Sequence, residues 1–328
     1  MTIQEVKFEN IICYLCGSGD SKEWLRGRDR GFGVFSFRKC DHCGLIYISP
    51  RPTLESMGHY YADDYTCYDP SGRFMDRIKS GMILAVAEEH WGYRGKRSLL
   101  RGLISYPFRQ VFCRVPQFVA GGKILDIGCA IGKDLDIYKG LGWETYGVEI
   151  NAAAADVARS KGHQVFTGTL EAANFPACSF DAVTLWDVME HVHDPVATLT
   201  SISRVLKVGG RLLIRTPNSD SFQAHYFGDR WGAGAHIPQH LFLFSPNTLS
   251  GVARKAGFAT EMVATTSTPF NVKRFLDRVW FDRFGPKHPI ALRIFGLLDT
   301  VIGIPAWPLV LLFGGGDLMT VHLRKDGH

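Results

Sequence analysis

The 328-residue sequence has no uninterrupted apolar run of the roughly 18 to 20 residues that a membrane-spanning helix needs. Its opening, Met1 to Cys16, lacks a basic segment followed by an apolar core of signal-peptide length, so a cytoplasmic protein is expected. Cysteine is scarce. Eight cysteines, four of them in two C-x2-C pairs and the rest scattered singly, do not make a disulfide framework in a chain this long and fit a reducing compartment. Charge of one sign is also limited: a formal net charge of +5 is too mild to make nucleic acid the expected partner of the whole chain. The basic residues are nevertheless uneven, with nine Lys or Arg against three acids over 73–114 and six against two over 273–293. Each stretch is either a solvated face or a surface turned toward an anionic substrate. What remains is an ordinary globular composition, long enough for one main domain with smaller attachments.

The stretch Gly122 to Glu149 reads as strand, glycine turn, helix, strand, acid. Gly128 and Gly132 let the backbone turn sharply around Cys129 and approach a ligand closely, and the helix start that follows offers unpaired N–H groups. Glu149 lies about 20 residues past the turn, where a carboxylate can accept from both hydroxyls of an adenosine ribose. Dinucleotides and S-adenosylmethionine both use this geometry. A dinucleotide needs the third glycine of G-x-G-x-x-G, which is missing here, and Asp126 just before the turn would repel its pyrophosphate. The same carboxylate suits a ligand that carries an ammonium and a sulfonium.

This stretch resembles motif I of the class I S-adenosylmethionine-dependent methyltransferases. The resemblance continues through Phe180-Asp181-Ala182-Val183, Glu190-His191-Val192, Leu206-Lys207-Val208-Gly209-Gly210 and Thr216-Pro217-Asn218, and covers roughly residues 121–268. It implies an α/β fold, a doubly wound, mostly parallel seven-stranded Rossmann-like sheet, and the alternation of strand-like and helix-like segments independently argues a mostly parallel sheet. It also implies S-adenosylmethionine held by Asp126, Gly128, Cys129, Gly132 and Glu149. The loop Thr169-Leu170 then frames the adenine, with Thr169 where the family usually has an acid, and Asp187 borders the cofactor. The sixth strand is expected over 257–267 and the seventh over 317–323, the latter antiparallel at the sheet edge as in the resembled fold.

Ahead of that domain, Cys13, Cys16, Cys40 and Cys43 form two knuckles with 23 residues between them, which is zinc-ribbon spacing. Four thiolates leave no open position, so the zinc is expected to be structural. Residues 1–48 are thus a zinc ribbon, 49–120 a tyrosine-rich linker and helical cap, and 121–328 the cofactor-binding domain with an insertion at 268–316. A ribbon running into Pro50-Arg51-Pro52 and Tyr60 to Tyr65 resembles the N-terminal part of bacterial methyltransferases of sugars and related small metabolites. On that resemblance Tyr61 and Tyr65 reach the cofactor or the substrate; otherwise they pack the ribbon against the main domain.

After the fourth strand the chain reads Asp187-Val188-Met189-Glu190-His191, without the two prolines and aromatic residue of base N-methyltransferases. The pattern resembles the catechol-type O-methyltransferases of ubiquinone biosynthesis, where such residues go with a divalent metal and the reacting hydroxyl. Asp187, Glu190 and His191 either bind such a metal, magnesium for instance, or Glu190 and His191 only fix the loop. The long connection 218–245, with His236 and His240, resembles the substrate-side loop of the sugar methyltransferases, and connections of this length are usually functional. His191, His236 and His240 are therefore the candidates for accepting the proton of a hydroxyl. Residues 301–313 carry no charge, are too short to span a bilayer, and either lie peripherally on the inner face of an anionic membrane or pack within the protein. The reading as a whole is methyl transfer to an oxygen of a small molecule, a sugar or related metabolite. The alternatives are an RNA methyltransferase that grips RNA with ribbon and basic cap, and a protein that binds the cofactor without turnover.

Overall fold

The computed structural model describes residues 6–29, 33–61, 73–93, 99–106, 113–228, 231, 236–266 and 315–327. Tyr65, the apolar stretch 301–313 and nearly all of the insertion 268–316 lie outside them.

The chain opens with β1 (Phe8–Glu9), β2 (Ser21–Asp29), β3 (Gly33–Cys40), β4 (Ile46–Ile48) and β5 (Arg51–Pro52), then a 3-10 turn at Leu54–Tyr60. β2, β3 and β4 form an antiparallel meander, while β1 pairs separately with β5. Two helices follow, α1 (Arg73–His90) and α2 (Leu99–Ser105), and the apolar run inside α1 turns Ile83, Val86 and Ala87 inward. The central alternation is β6 (Lys123–Ile127), α3 (Lys133–Gly140), β7 (Glu144–Glu149), α4 (Ala152–Ser160), β8 (Gln164–Thr167), α5 (Leu170–Ala173), β9 (Phe180–Trp186), α6 (Pro195–Val205) and β10 (Leu206–Pro217). The chain then adds α7 (Phe222–Phe227), β11 (Phe242–Leu243), α8 (Pro246–Lys255), β12 (Phe258–Thr266) and β13 (Leu318–Lys325).

Seven strands make the main sheet in the order β12-β13-β10-β9-β6-β7-β8. β8, β7, β6, β9 and β10 run parallel, and β13 is antiparallel to both its neighbours. The mostly parallel α/β sheet expected from the alternation is therefore present. The antiparallel strand is not at the edge, as the sequence had suggested, but one place in. Its burial explains this: β13 is inaccessible over most of its length, whereas β12 buries only Phe258 and Ala264 and can face solvent as the outer strand. β9 sits in the middle with almost every side chain buried, as expected for a strand covered on both faces.

Short-range chemistry starts the helices where the sequence says. Asn151 accepts from the Ala154 N–H at 3.0 Å, and Asp194 accepts from the Val196 and Ala197 N–H groups with Pro195 at the first helical position. Ser245 and Thr248 close a reciprocal cap on α8.

Less local is β11. It leaves the connection after β10 and pairs with β4, Phe242 opposite Tyr47 and Leu243 opposite Ile46, so that the ribbon sheet has the order β11-β4-β3-β2. The sheet that begins in residues 1–48 is completed from inside the main domain. Ile237, in the same connection, lies where a side chain on Gly27 of β2 would be, its Cδ1 2.2 Å from that Cβ position.

The turn after β6 depends on a second missing side chain. A Cβ on Gly147 of β7 would meet the Cys129 Sγ at 2.5 Å and a Val165 methyl at 3.2 Å. Gly147→Ala should therefore overpack the sheet beneath the turn and cost about 1–3 kcal/mol, read as a lower urea midpoint with an unchanged slope; a midpoint equal to wild type would contradict this packing.

Candidate active site

Three alternate left-handed positions shape the turn between β6 and α3: Gly128 (φ 73°), Ala130 (φ 46°) and Gly132 (φ 74°). A side chain at Gly128 would strike Val188 at 2.7 Å, so glycine is needed there for both conformation and space. Gly132 caps α3 without any side-chain acceptor, which leaves that helix start open to a ligand. The Cys129 thiol is buried under the turn and its N–H bonds to the Val148 carbonyl at 3.2 Å, so this residue packs the turn from below. Glu149 ends β7 and is buried; its two oxygens accept from the Ala130 N–H at 2.9 Å and the Asn151 N–H at 2.8 Å. Each carboxylate oxygen keeps a further lone pair. The Gly168 N–H bonds to the Glu149 carbonyl at 2.9 Å, which brings Thr169 and Leu170 alongside; Thr169 caps α5 at the Ala172 N–H, and Leu170 is buried.

Asp126 is buried on the other side of the turn and accepts from the Thr184 hydroxyl at 2.6 Å. Burial, and then the charge of Asp134, push its carboxyl well above the usual carboxylate range. A cation arriving beside it would restore the charge. Arg114, which the sequence reading missed, pairs with Asp134 at 2.9 Å and lies over the Trp186 ring, 4.7 Å from its centroid. It is 7% exposed, and its Nε has no partner among the described residues. A donor left open inside a protein is costly unless a ligand takes it. The sequence marks Arg114 only as the last of a basic run.

The loop after β9 holds the remaining candidates. Asp187 has a left-handed backbone (φ 58°) and is engaged by Arg215, whose Nε donates to Oδ1 at 3.0 Å and whose Nη2 reaches Oδ2. Glu190 is buried, accepts from the Thr216 hydroxyl at 2.9 Å, and is pushed up to about 8 by burial and then by Asp187. His191 Nδ1 lies 2.9 Å from the Gln239 carbonyl and 3.4 Å from the Tyr61 hydroxyl. A carbonyl only accepts, so Nδ1 carries the proton and Nε2 keeps its lone pair. Burial holds this imidazole below its ordinary value.

The three candidate histidines come together. His240 meets His191 edge-on with ring centroids 4.8 Å apart, and His236 stacks on His240 at 5.0 Å. Ligand atoms of Glu190, His191 and His240 all lie within 4.8 Å of one another. Asp187 is outside that group; His240, from the far side of β10, takes the place the sequence had suggested for it. Tyr61 reaches the same loop from the segment after the ribbon.

The four ribbon cysteines also converge, with sulfurs 3.3 Å apart for Cys13 and Cys43 and 3.4 Å for Cys16 and Cys40. Gly17 and Gly44 turn each knuckle with φ of 76° and 77°. Backbone N–H groups of Leu15 and Cys16 point at Cys13, and those of His42 and Cys43 at Cys40.

Against known proteins, residues 102–263 match the model of a family described as a methyltransferase domain. The ubiquinone biosynthesis O-methyltransferase of Thiobacillus denitrificans is 28% identical over 201 residues, which are 57% of this chain and 85% of that protein. The enzyme of the same description from Xanthomonas axonopodis pv. citri is 29% identical over 194 residues, 55% of this chain and 80% of its own length. Among solved structures, a SAM-dependent methyltransferase from Archaeoglobus fulgidus aligns over 73% of this chain and 97% of its own with a TM-score of 0.45 and 19% identity.

Glu149 provides the sharpest test of the seat. If its carboxylate accepts from two ribose hydroxyls, Glu149→Ala removes two charged hydrogen bonds worth roughly 1.5–3 kcal/mol each, and calorimetry with S-adenosylmethionine should show affinity at least about 100-fold weaker. An unchanged dissociation constant would mean the nucleoside sits elsewhere.

Proposed function

Given that the chain is a class I S-adenosylmethionine-dependent methyltransferase, we propose that it methylates a hydroxyl oxygen of a small molecule, a sugar or a related metabolite. The observation that carries this reading is the convergence of His191, His236 and His240 at the loop after β9, whose Val188 packs against the Gly128 turn. The relatives named as O-methyltransferases support an oxygen acceptor.

The seat fits S-adenosylmethionine by its donors and acceptors. Glu149 would take the ribose hydroxyls, Thr169 and Leu170 would border the adenine, and Asp126 with the Gly128 turn would meet the ammonium. The open Nε of Arg114 suits the carboxylate of the methionine end. Bound there, the cofactor supplies an electrophilic methyl group on a sulfonium. The protein then has two tasks, holding the acceptor oxygen in line and taking its proton. Neutral imidazole does the second: His191 Nε2 has the free lone pair, and His240 stands against it. Because burial keeps His191 below its ordinary value of 6.5, it is neutral at pH 7. Transfer should therefore fall on acidification, at a lower pH than an unperturbed imidazole would set.

A second reading is favoured by one specific observation, the Glu190, His191 and His240 group, whose carboxylate and two imidazoles suit a divalent transition metal better than magnesium. Such a metal would polarise the acceptor hydroxyl. Rates with and without chelator separate the two. On the first reading His191→Ala lowers turnover roughly 10²–10⁴-fold with cofactor affinity kept, and a chelator that leaves the four-cysteine metal in place has no effect on rate. Loss on chelation with recovery on added metal selects the second, and full activity in every case would exclude both.

For the ribbon, we propose one structural zinc at Cys13, Cys16, Cys40 and Cys43, a donor set with no open position. Elemental analysis of dialysed protein should find about one zinc per chain, and metal-free protein would refute the site. The acceptor class is tested by incubating the protein with methyl-labelled cofactor and fractions of a cell extract. Label is expected in the small-molecule fraction; label in nucleic acid would overturn the proposal.

A further inference from the structure

Arg51 is a buried cation that none of the chemistry above uses. It is 2% exposed, and a guanidinium cannot lose its charge to escape that burial. Its three nitrogens are instead all committed: Nε donates to Glu9 Oε1 at 2.7 Å, Nη1 to the His193 carbonyl at 2.7 Å, and Nη2 to the Tyr14 hydroxyl at 3.2 Å. Its plane also lies over two rings, 5.5 Å from the centroid of Tyr14 and 5.9 Å from that of Phe242. The contact to His193 is returned, since His193 Nε2 lies 3.3 Å from the carbonyl of Pro52, the residue after Arg51.

The partners belong to three separate parts of the chain. Tyr14 sits between Cys13 and Cys16 in the first knuckle. His193 is two residues past His191, and Phe242 is two residues past His240. The loops that carry these two histidines are themselves joined, because the Leu241 and Phe242 N–H groups both reach the Glu190 carbonyl, at 2.7 and 3.2 Å. A planar, five-donor group at this junction fixes distance and angle together, which a lysine could not do.

We propose that Arg51 is a positioning residue for methyl transfer, setting the relative placement of His191 and His240 from the cysteine knuckle through Tyr14, His193 and Phe242. The proposal rests on the reading that these histidines take the acceptor proton. The contacts of Arg51 given above include no residue of the cofactor seat, so it acts through these neighbours.

The test uses the full chain labelled with isotopic histidine, as wild type, Arg51→Lys and Tyr14→Phe. The imidazole nitrogen resonances of His191 and His240 should shift in both variants. Those of His163, bonded to Thr145 at 2.9 Å, and His322, bonded to the Cys113 carbonyl at 2.9 Å, should stay in place and serve as the folding control. Affinity for S-adenosylmethionine should remain within about twofold while label transfer to the small-molecule fraction falls at least about tenfold in Arg51→Lys, a kcat effect of the size that misplacement produces. Tyr14→Phe keeps the ring and loses one hydrogen bond, so it covers the case in which Arg51→Lys fails to fold. Unmoved His191 and His240 resonances in the folded variant would overturn the proposal. Shifted resonances in Arg51→Lys alongside wild-type transfer by both His191→Ala and His240→Ala would uphold the clamp and refute the proton-acceptor reading beneath it.

Discussion

Leu241 is held by both of its backbone groups: its N–H goes to the Glu190 carbonyl at 2.7 Å, and its carbonyl accepts from the Ile48 N–H at 3.0 Å. The residue is wholly buried, so neither peptide group could turn to water if the contact were lost. This one strip ties the loop after β9, the connection after β10 and the ribbon sheet into a single body. His240 immediately precedes it and inherits its rigidity. The N-terminal ribbon is thus part of the wall on which His191 and His240 are mounted.

On the other side of that wall the charges are sorted by use. Asp126, Asp134 and Glu149 gather where the ribose and the methionine end of the cofactor are proposed to lie. The guanidinium carbons of Arg114 and Arg215 lie 4.7 and 5.7 Å from the Trp186 ring centroid. Each arginine holds its own carboxylate, Asp134 for one and Asp187 for the other. Burying so much charge costs stability unless every group is paired. Asp126, which no ion pair among the described residues neutralises, and the open Arg114 Nε are groups that the cationic and carboxylate ends of one ligand would complete.

What the sequence revealed and what it withheld follow the range of the physics. The turn at Gly128 and Gly132, the acid at 149, the cap at Asn151 and the Asp194-Pro195 helix start are local: a few neighbouring residues determine them, and all are where the pattern puts them. The cysteine knuckles are legible for the same reason, two short motifs whose spacing implies convergence. Arg51, Arg114, Gly147 and the pairing of β11 with β4 are set by residues far away in the chain, and one sequence carries no mark of them. The placement of β13 inside β12 is of that kind too, since which strand is outermost depends on what covers each face. Asp187 looked like a metal ligand because it precedes Glu190 and His191 by the right interval; Arg215, brought alongside by the parallel pairing of β9 and β10, engages it instead.

The central claim is that ribbon and histidine loop move as one and independently of the cofactor seat. Hydrogen exchange tests it directly, by comparing the protein as prepared, after removal of bound metal, and with S-adenosylhomocysteine added. Metal removal should expose the amides of Leu241 to Leu243 together with those of Ile46 to Ile48, leaving Gly128 to Gly132 protected, while the nucleoside should slow exchange only around Gly128 to Gly132 and Glu149 to Asn151. Loss of protection confined to the knuckles, with Leu241 to Leu243 unchanged, would contradict the account.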